Sequence, residues 1–181
     1  MSAHWRSLIV TGTVLVTVTI LSARSAAAEL VEPKTLIVDA SLPKAQAEAQ
    51  ILAARRYDTF WSTGEEALAT EALAPDFTDR TLPAGRAQGV VGPLDASRFV
   101  RAAIPDLTCA IEQMIVAGDH VVVHLHFVGH FTGRFKERDG KGESIDFAAT
   151  DIYRIASGRI AENWHIEDNL TLFQQLGLVA R

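Results

Sequence analysis

The stretch ENWHIEDNLTLFQQLG, Glu162 to Gly177, opens with strand spacing and closes with helical spacing, and it gathers Glu162, His165, Glu167 and Asp168 around Trp164. Which face of a sheet those groups occupy decides what the chain can do. Side chains alternate faces along a strand. From Arg159 to Asp168 the even positions are Ile160, Glu162, Trp164, Ile166 and Asp168, whereas the odd ones, Ala161, Asn163, His165 and Glu167, make a polar face. Two isoleucines and a tryptophan mark the even side as covered, which predicts that Glu162 and Asp168 lie beneath whatever packs on the sheet.

Upstream, Glu143 to Ala156 repeats the pattern with odd parity: Ile145, Phe147, Ala149, Tyr153 and Ile155 are apolar or aromatic, and Asp151 sits among them. A carboxylate buried without a partner is costly and its pKa rises, the condition for acid or base work near neutral pH. Asp151, Glu162 and Asp168 are therefore the candidate catalytic groups. Two alternatives stay open. Asp151 and Glu162 can pair with Arg55, Arg56 or Arg80, or cap backbone groups. Asp168 can be the N-cap of NLTLFQQLG, which would lower its pKa.

In HVVVHLHFVGHF, His120 to Phe131, the odd residues are apolar and the even ones include His120, His124, His126 and His130. Imidazoles at i and i+2 share a face and can bind Zn²⁺ or Cu²⁺. No further ligand is evident, so no metal site is expected, and the histidines fall on the outer side of the sheet. A bulge near Gly129 would turn His130 into the pocket.

With Thr108 to Ala117 and Arg159 to Glu167 these strands form a meander turned at Gly118-Asp119, at RFKERDGKG and at Ser157-Gly158. Helices come before it. PKAQAEAQILAARRYDTFWSTG, from Pro43, carries Ala49, Ala53, Tyr57, Phe60 and Trp61 at helical spacing and stops at Gly64; EEALATEAL is a shorter helix; Pro93 opens a third, with Ala96, Phe99, Val100 and Ala103 on its face, ended by Ile104-Pro105. A short strand is expected at Phe77 to Arg80. Helices first and antiparallel strands after is the α+β arrangement, with helices covering one face of a curved sheet.

The first 28 residues read as a signal peptide, with Arg6 before an apolar run from Leu8 to Leu21 and small residues up to Ala28. The run is shorter than the ~20 residues of a membrane-spanning helix, and an uncleaved N-terminal anchor stays open as the alternative. Export, to a periplasm or the medium, is the expectation, with residues 29–42 as a flexible leader and 43–181 as one domain. Cleavage would take the net charge from −5 to −7, since residues 1–28 hold Arg6 and Arg24 and no acid. That balance disfavours nucleic acid and anionic membranes as partners. A single cysteine, Cys109, rules out an internal disulfide. Cofactors are not expected: GVVGPLDAS lacks the lysine of a phosphate-binding loop, and no Gly-x-Ser-x-Gly elbow occurs.

Ile160-x-Glu162-x-Trp164-x-x-x-Asp168 followed by Gln174-Gln175-Leu176-Gly177 resembles the C-terminal signature of the SnoaL-like polyketide cyclases, or ester cyclases, of the nuclear-transport-factor-2-like superfamily. Ile104-Pro105-Asp106-Leu107 and Gly129-x-x-x-Gly133-x-Phe135 are similar to further landmarks of that family. The resemblance implies a cone: a strongly curved antiparallel sheet wrapped around N-terminal helices, with an apolar cavity at the wide end and pairs of cones joined as homodimers through the outer sheet face. It implies Asp168 as the acid/base, Trp164 as a wall, and Tyr153, Phe147, Tyr57, Trp61 and His130 as further contacts for a small apolar or aromatic ligand. Where the family often has Gly-Thr-His-x-Gly, this chain has His130 directly after Gly129 and Phe131 at the usual histidine position.

Two functions follow. One is a cofactor-independent enzyme moving protons on a small hydrophobic carbonyl compound, as an isomerase, lyase or cyclase does. The alternative is a non-catalytic ligand-binding or dimeric scaffold module.

Overall fold

A computed structural model describes residues 29–180. The signal-peptide expectation, on residues 1–28, lies outside the described residues. The elements in order are β1 (Leu36–Val38), α1 (Lys44–Thr63), α2 (Glu66–Ala72), β2 (Leu73–Asp79), α3 (Val91–Ala103), β3 (Thr108–Ala117), β4 (His120–Phe131), the small pair β5 (Arg134–Phe135) and β6 (Arg138–Asp139), β7 (Glu143–Ala156), β8 (Arg159–Glu167) and α4 (Asn169–Gln175). Among them no helix is long and apolar enough to cross a membrane.

One six-stranded open sheet has the order β1-β3-β4-β7-β8-β2. The expected meander is its centre: β3, β4, β7 and β8 pair antiparallel. Both edges depart from the expectation of an antiparallel sheet, since β1 runs parallel to β3 and β2 parallel to β8. These edge strands reach the sheet through helices rather than hairpins, and only such crossovers permit parallel neighbours. β1 also places part of the expected leader in the sheet. Ahead of it the Val31 amide donates to Thr59 Oγ1 at 2.9 Å.

Alternation places the core as expected on the middle strands. Val121, Val123, Leu125 and Phe127 of β4 and Ile145, Phe147, Ala149, Asp151 and Tyr153 of β7 are all buried under the helices. The β4–β7 register runs unbroken from His120↔Arg154 to Phe131↔Glu143. No bulge turns His130 inward, therefore; it stays outside and is held by Asp106, 2.7 Å from its Nδ1. The Ser157-Gly158 turn has φ of 51° and 73°, the left-handed pair that joins twisted strands tightly. α1 stops at Gly64, whose φ of 80° lets its N–H return to the Phe60 carbonyl at 2.7 Å. Phe99, expected on the covered face of α3, is instead half-exposed and packs on Phe135 at 5.1 Å.

β8 breaks the alternation. Arg154 pairs with Glu162 but Ile155 with Ile160, so Ala161 is an extra residue, and both Ile160 and Ala161 are buried. Such a bulge exchanges the faces of every residue beyond it. Asn163, His165 and Glu167 consequently point under the helices, while Glu162, Trp164 and Ile166 point to the outer face. The sequence-based assignment of Glu162 and Trp164 to the covered side is corrected by this one residue.

Candidate functional site

A cavity of about 70 Å³ opens between the helices and the inner face of the sheet. Trp61 and Tyr57 from α1, Pro93 and Val100 from α3, Leu107, and Phe127 and Phe147 from β4 and β7 form its apolar wall. The two phenylalanines stack at 5.0 Å with an interplanar angle of 9°. Asp79, Arg86, Asp151, Asn163, His165 and Glu167 make up its polar side. An apolar hollow with a few converging polar groups is the usual build of a small-molecule site.

Behind the wall runs a continuous polar chain. The Tyr153 hydroxyl oxygen is 2.8 Å from Asp58 Oδ1 and 3.1 Å from Asp151 Oδ2. Asp151 Oδ1 accepts from Asn163 Nδ2 at 3.2 Å and lies 2.5 Å from His165 Nδ1. His165 Nε2 in turn is 3.4 Å from Glu167 Oε2. Asp58 comes from α1 and is fully enclosed, and Tyr153, Asp151 and Asn163 are nearly so.

The protonation states follow from burial and neighbours. Desolvation pushes the Asp58 carboxyl well above its ordinary range, more than the Tyr153 contact lowers it, so Asp58 keeps its proton. The Tyr153 hydroxyl donates toward both carboxyl groups, more closely to Asp58 than to Asp151. Burial disfavours a charged His165 most strongly of any single influence, but the Asp151 and Glu167 carboxylates together outweigh it and push its pKa up to about 10. His165 is thus an imidazolium at neutral pH. Glu167 is held below the usual carboxylate value because its contact with His165 and the charge of Arg86 overcome the larger effect of burial. Burial, with Asp151 and Asp79 nearby, raises the Tyr57 phenol and keeps it neutral. Asp79 is fastened at Oδ1 by the Thr81 N–H and hydroxyl, at 2.9 and 3.2 Å.

Residues 51–176, most of the chain, match the family described as SnoaL-like polyketide cyclase. The chain belongs to that family. Solved structures similar to it include a candidate polyketide cyclase from Bacillus cereus, 40% identical over 84% of this chain and 97% of that one, with a TM-score of 0.77. TsrD from Streptomyces laurentii is 22% identical over 76% of this chain and 99% of its own, TM-score 0.65. IdmH, a candidate polyketide cyclase from Streptomyces antibioticus, is 25% identical over 69% and 96%, TM-score 0.61. No curated protein matches the chain. The fold is thereby the nuclear-transport-factor-2-like one that the C-terminal signature implied.

Within this SnoaL-like fold, Asp151, Tyr57, Trp61 and Phe147 lie at the cavity. Tyr153 lies behind it, spent on the two aspartates. Asp168 is exposed and folds back on α4: its Oδ1 accepts from the Thr171 N–H at 3.0 Å and its Oδ2 from the Thr171 hydroxyl at 2.6 Å. Those bonds hold its pKa below the ordinary value. The capping alternative describes its geometry, and it is not among the cavity residues. Glu162 is clamped on the outer side between Arg80 and Arg154, with Arg154 Nε at 2.7 Å, and these pairs lower its pKa. Trp164 lines a separate apolar groove on the outer face with His120, Ile152 and Ile166. His130 is exposed beside Asp106. Among the described residues no group of three His, Cys, Asp or Glu side chains could hold a metal ion.

Sequence reasoning passed over Glu167, Asp79, Arg86 and Asp58, and it offered His165 and Asn163 only as weaker donor candidates that parity disfavours. His165 and Glu167 were assigned to the polar, uncovered face. The one available signal was Ala161, a small residue at a position where one extra residue inverts the strand.

Proposed function

We propose that this SnoaL-like protein enolises a small carbonyl compound, the proton-transfer step common to isomerases, lyases and aldol-type cyclases. The observation that carries the reading is the His165 imidazolium, lining an apolar cavity and anchored by a buried carboxylate. Its raised pKa makes it a donor rather than a base at neutral pH. Nδ1 is fully engaged by Asp151, whereas the longer Nε2 contact with Glu167 can be exchanged for a ligand oxygen. The neutral Tyr57 phenol is a second donor to the same cavity. Two donors at a developing enolate oxygen, in a site largely closed to water, stabilise the transition state more than the ground state. Asp79 supplies the base: Oδ1 is fastened by Thr81, Oδ2 accepts no hydrogen bond in the described structure, and the carboxylate lines the cavity. The α-proton passes to Asp79 Oδ2, the electron pair moves onto the carbonyl oxygen, and reprotonation or carbon–carbon bond formation completes the reaction.

The reading retains export of the mature chain. It also retains a homodimer through the outer sheet face, supported by the apolar groove around Trp164 and by Ile166, which is 74% exposed. The test is α-proton exchange: phenylacetone incubated with the protein in D₂O and followed by ¹H NMR. Asp79→Asn should abolish enzyme-dependent exchange, and His165→Gln should slow it about 10²–10³-fold, the cost of losing an oxyanion donor. Exchange unaffected by either substitution would refute the assignment.

A further inference from the structure

Arg86 stands apart from the other described arginines. Each of the others engages a carboxylate or a backbone carbonyl through its guanidinium. Arg86 has no such acceptor, although it is half-buried and lines the cavity. Glu167, whose carboxylate feels the Arg86 charge, is already engaged by His165. A guanidinium brought to an apolar pocket and left without an acceptor loses hydration without compensation unless something else supplies the anion.

The loop holds Arg86 at that place. At its base Gln88 clasps Asp79 in both directions: its Oε1 accepts from the Asp79 N–H at 2.7 Å and its Nε2 donates to the Asp79 carbonyl at 3.0 Å. On the opposite side the Thr81 hydroxyl accepts from the His165 N–H at 2.8 Å. The loop then rests on α3 at Gly92, where an added Cβ would come within 2.3 Å of the Ala87 carbonyl oxygen and 3.5 Å of Arg86 Cγ. The bare helix backbone at Gly92 is thus what admits the Ala87 carbonyl, and fixes the chain directly after Arg86 against α3.

We propose that Arg86 binds a carboxylate on the pocket's ligand, so that a small apolar oxo-acid is the preferred substrate, favoured over a neutral ketone or ester that the same cavity also accepts. This deepens the enolisation reading and rests on it. The planar guanidinium fork matches a carboxylate with two parallel hydrogen bonds. Asp79 and Glu167 on the same polar wall argue for one negative charge on the ligand, since a phosphate dianion would meet both carboxylates. With the carboxylate on Arg86 and the oxo oxygen on His165, Asp79 is left in the same cavity for the proton on the carbon next to the oxo group.

A matched pair of probes separates charge from shape. Benzoylformate and its methyl ester share the aromatic ring and the oxo group, and neither has an α-proton to lose. Binding is followed by NMR titration of the His165 and Trp61 side-chain resonances in the purified protein. The acid should bind about tenfold more tightly than the ester, as expected for a charge-assisted bidentate contact. Arg86→Gln should bring the two within about threefold by weakening only the acid, and Arg86→Lys, which keeps the charge and loses the fork, should fall between. Equal affinities in the wild type, or a preference that survives Arg86→Gln, overturns the Arg86 assignment while leaving the enolisation reading intact. If neither probe moves either resonance, the cavity is not a site for aryl carbonyl compounds, and both readings fall together.

Discussion

Replacing Asp58 and Asp151 by Asn in turn should give opposite results, although both carboxyls touch the Tyr153 phenol at 2.8 and 3.1 Å. Asp58 is already neutral in the folded protein, so its amide is close in shape and equal in charge. The replacement should change unfolding free energy at pH 4, where Asp58 is close to neutral in both states, by less than about 1.5 kcal/mol, the scale of one altered neutral hydrogen bond. Asp151 accepts from Tyr153 and Asn163 and balances the His165 imidazolium. Its amide leaves a buried cation facing a donor, and breaking a buried pair by removing one partner costs about 3–5 kcal/mol. The pH dependences have a sign that can be checked. Asp58 holds its proton when folded and loses it above about 3.8 when unfolded, so folding takes up a proton and the wild type loses stability as pH rises from that value. Asp58→Asn removes that fall, and the variant gains on the wild type between pH 4 and 7. Urea unfolding followed by tryptophan fluorescence at pH 4, 5.5 and 7 measures both effects. Equal destabilisation by the two substitutions at pH 7, or a gap between Asp58→Asn and wild type that does not change with pH, would refute the assignment of charge within the chain.

His165 should set the alkaline behaviour. Its folded pKa of about 10 against 6.5 means that its stabilising contribution is complete below pH 6.5 and disappears as pH passes through 10; α-exchange should decline over the same upper limb. In Asp151→Asn that limb should move toward 6.5, and a limb that stays near 10 would dissociate His165 from Asp151. Asp168→Ala should lower the melting temperature by about 2–5 °C through the lost cap, with α-exchange unchanged; loss of exchange at unchanged stability would return Asp168 to the chemistry. On the outer face, Ile166→Asp should convert the proposed dimer to a monomer in light scattering without disturbing the cavity, and a wild-type monomer at micromolar concentration would dismiss that interface.

Much of the fold was legible because its strands obey simple rules. Alternation on β4 and β7 depends only on the backbone pleat, so Val121 to Phe127 and Ile145 to Tyr153 could be assigned to the core from their spacing, and Asp151 with them. The helical stops at Gly64 and Ile104-Pro105 and the turn at Ser157-Gly158 are local backbone preferences that any window of the sequence exposes. The family signature at the end of the chain, too, is a property of residue order alone.

Which face of β8 meets the cavity was a tertiary decision. Alternation assigned Trp164 and Ile166 to the core because apolar residues ordinarily face inward. The extra residue at Ala161 reverses them, since a bulge is fixed by pairing with Arg154 and Ile155 on a neighbouring strand and not by preferences inside β8. Asp58 needed tertiary structure for a similar reason: on a helix it reads as one charge among many, and only its enclosure beside Tyr153 makes it an acid that keeps its proton. Residue order by itself determined the four helices, the central strands, their sequence and the family. Long-range contacts, formed between residues as far apart as Asp58 and Tyr153, decided which titratable groups leave water and therefore which of them can do chemistry.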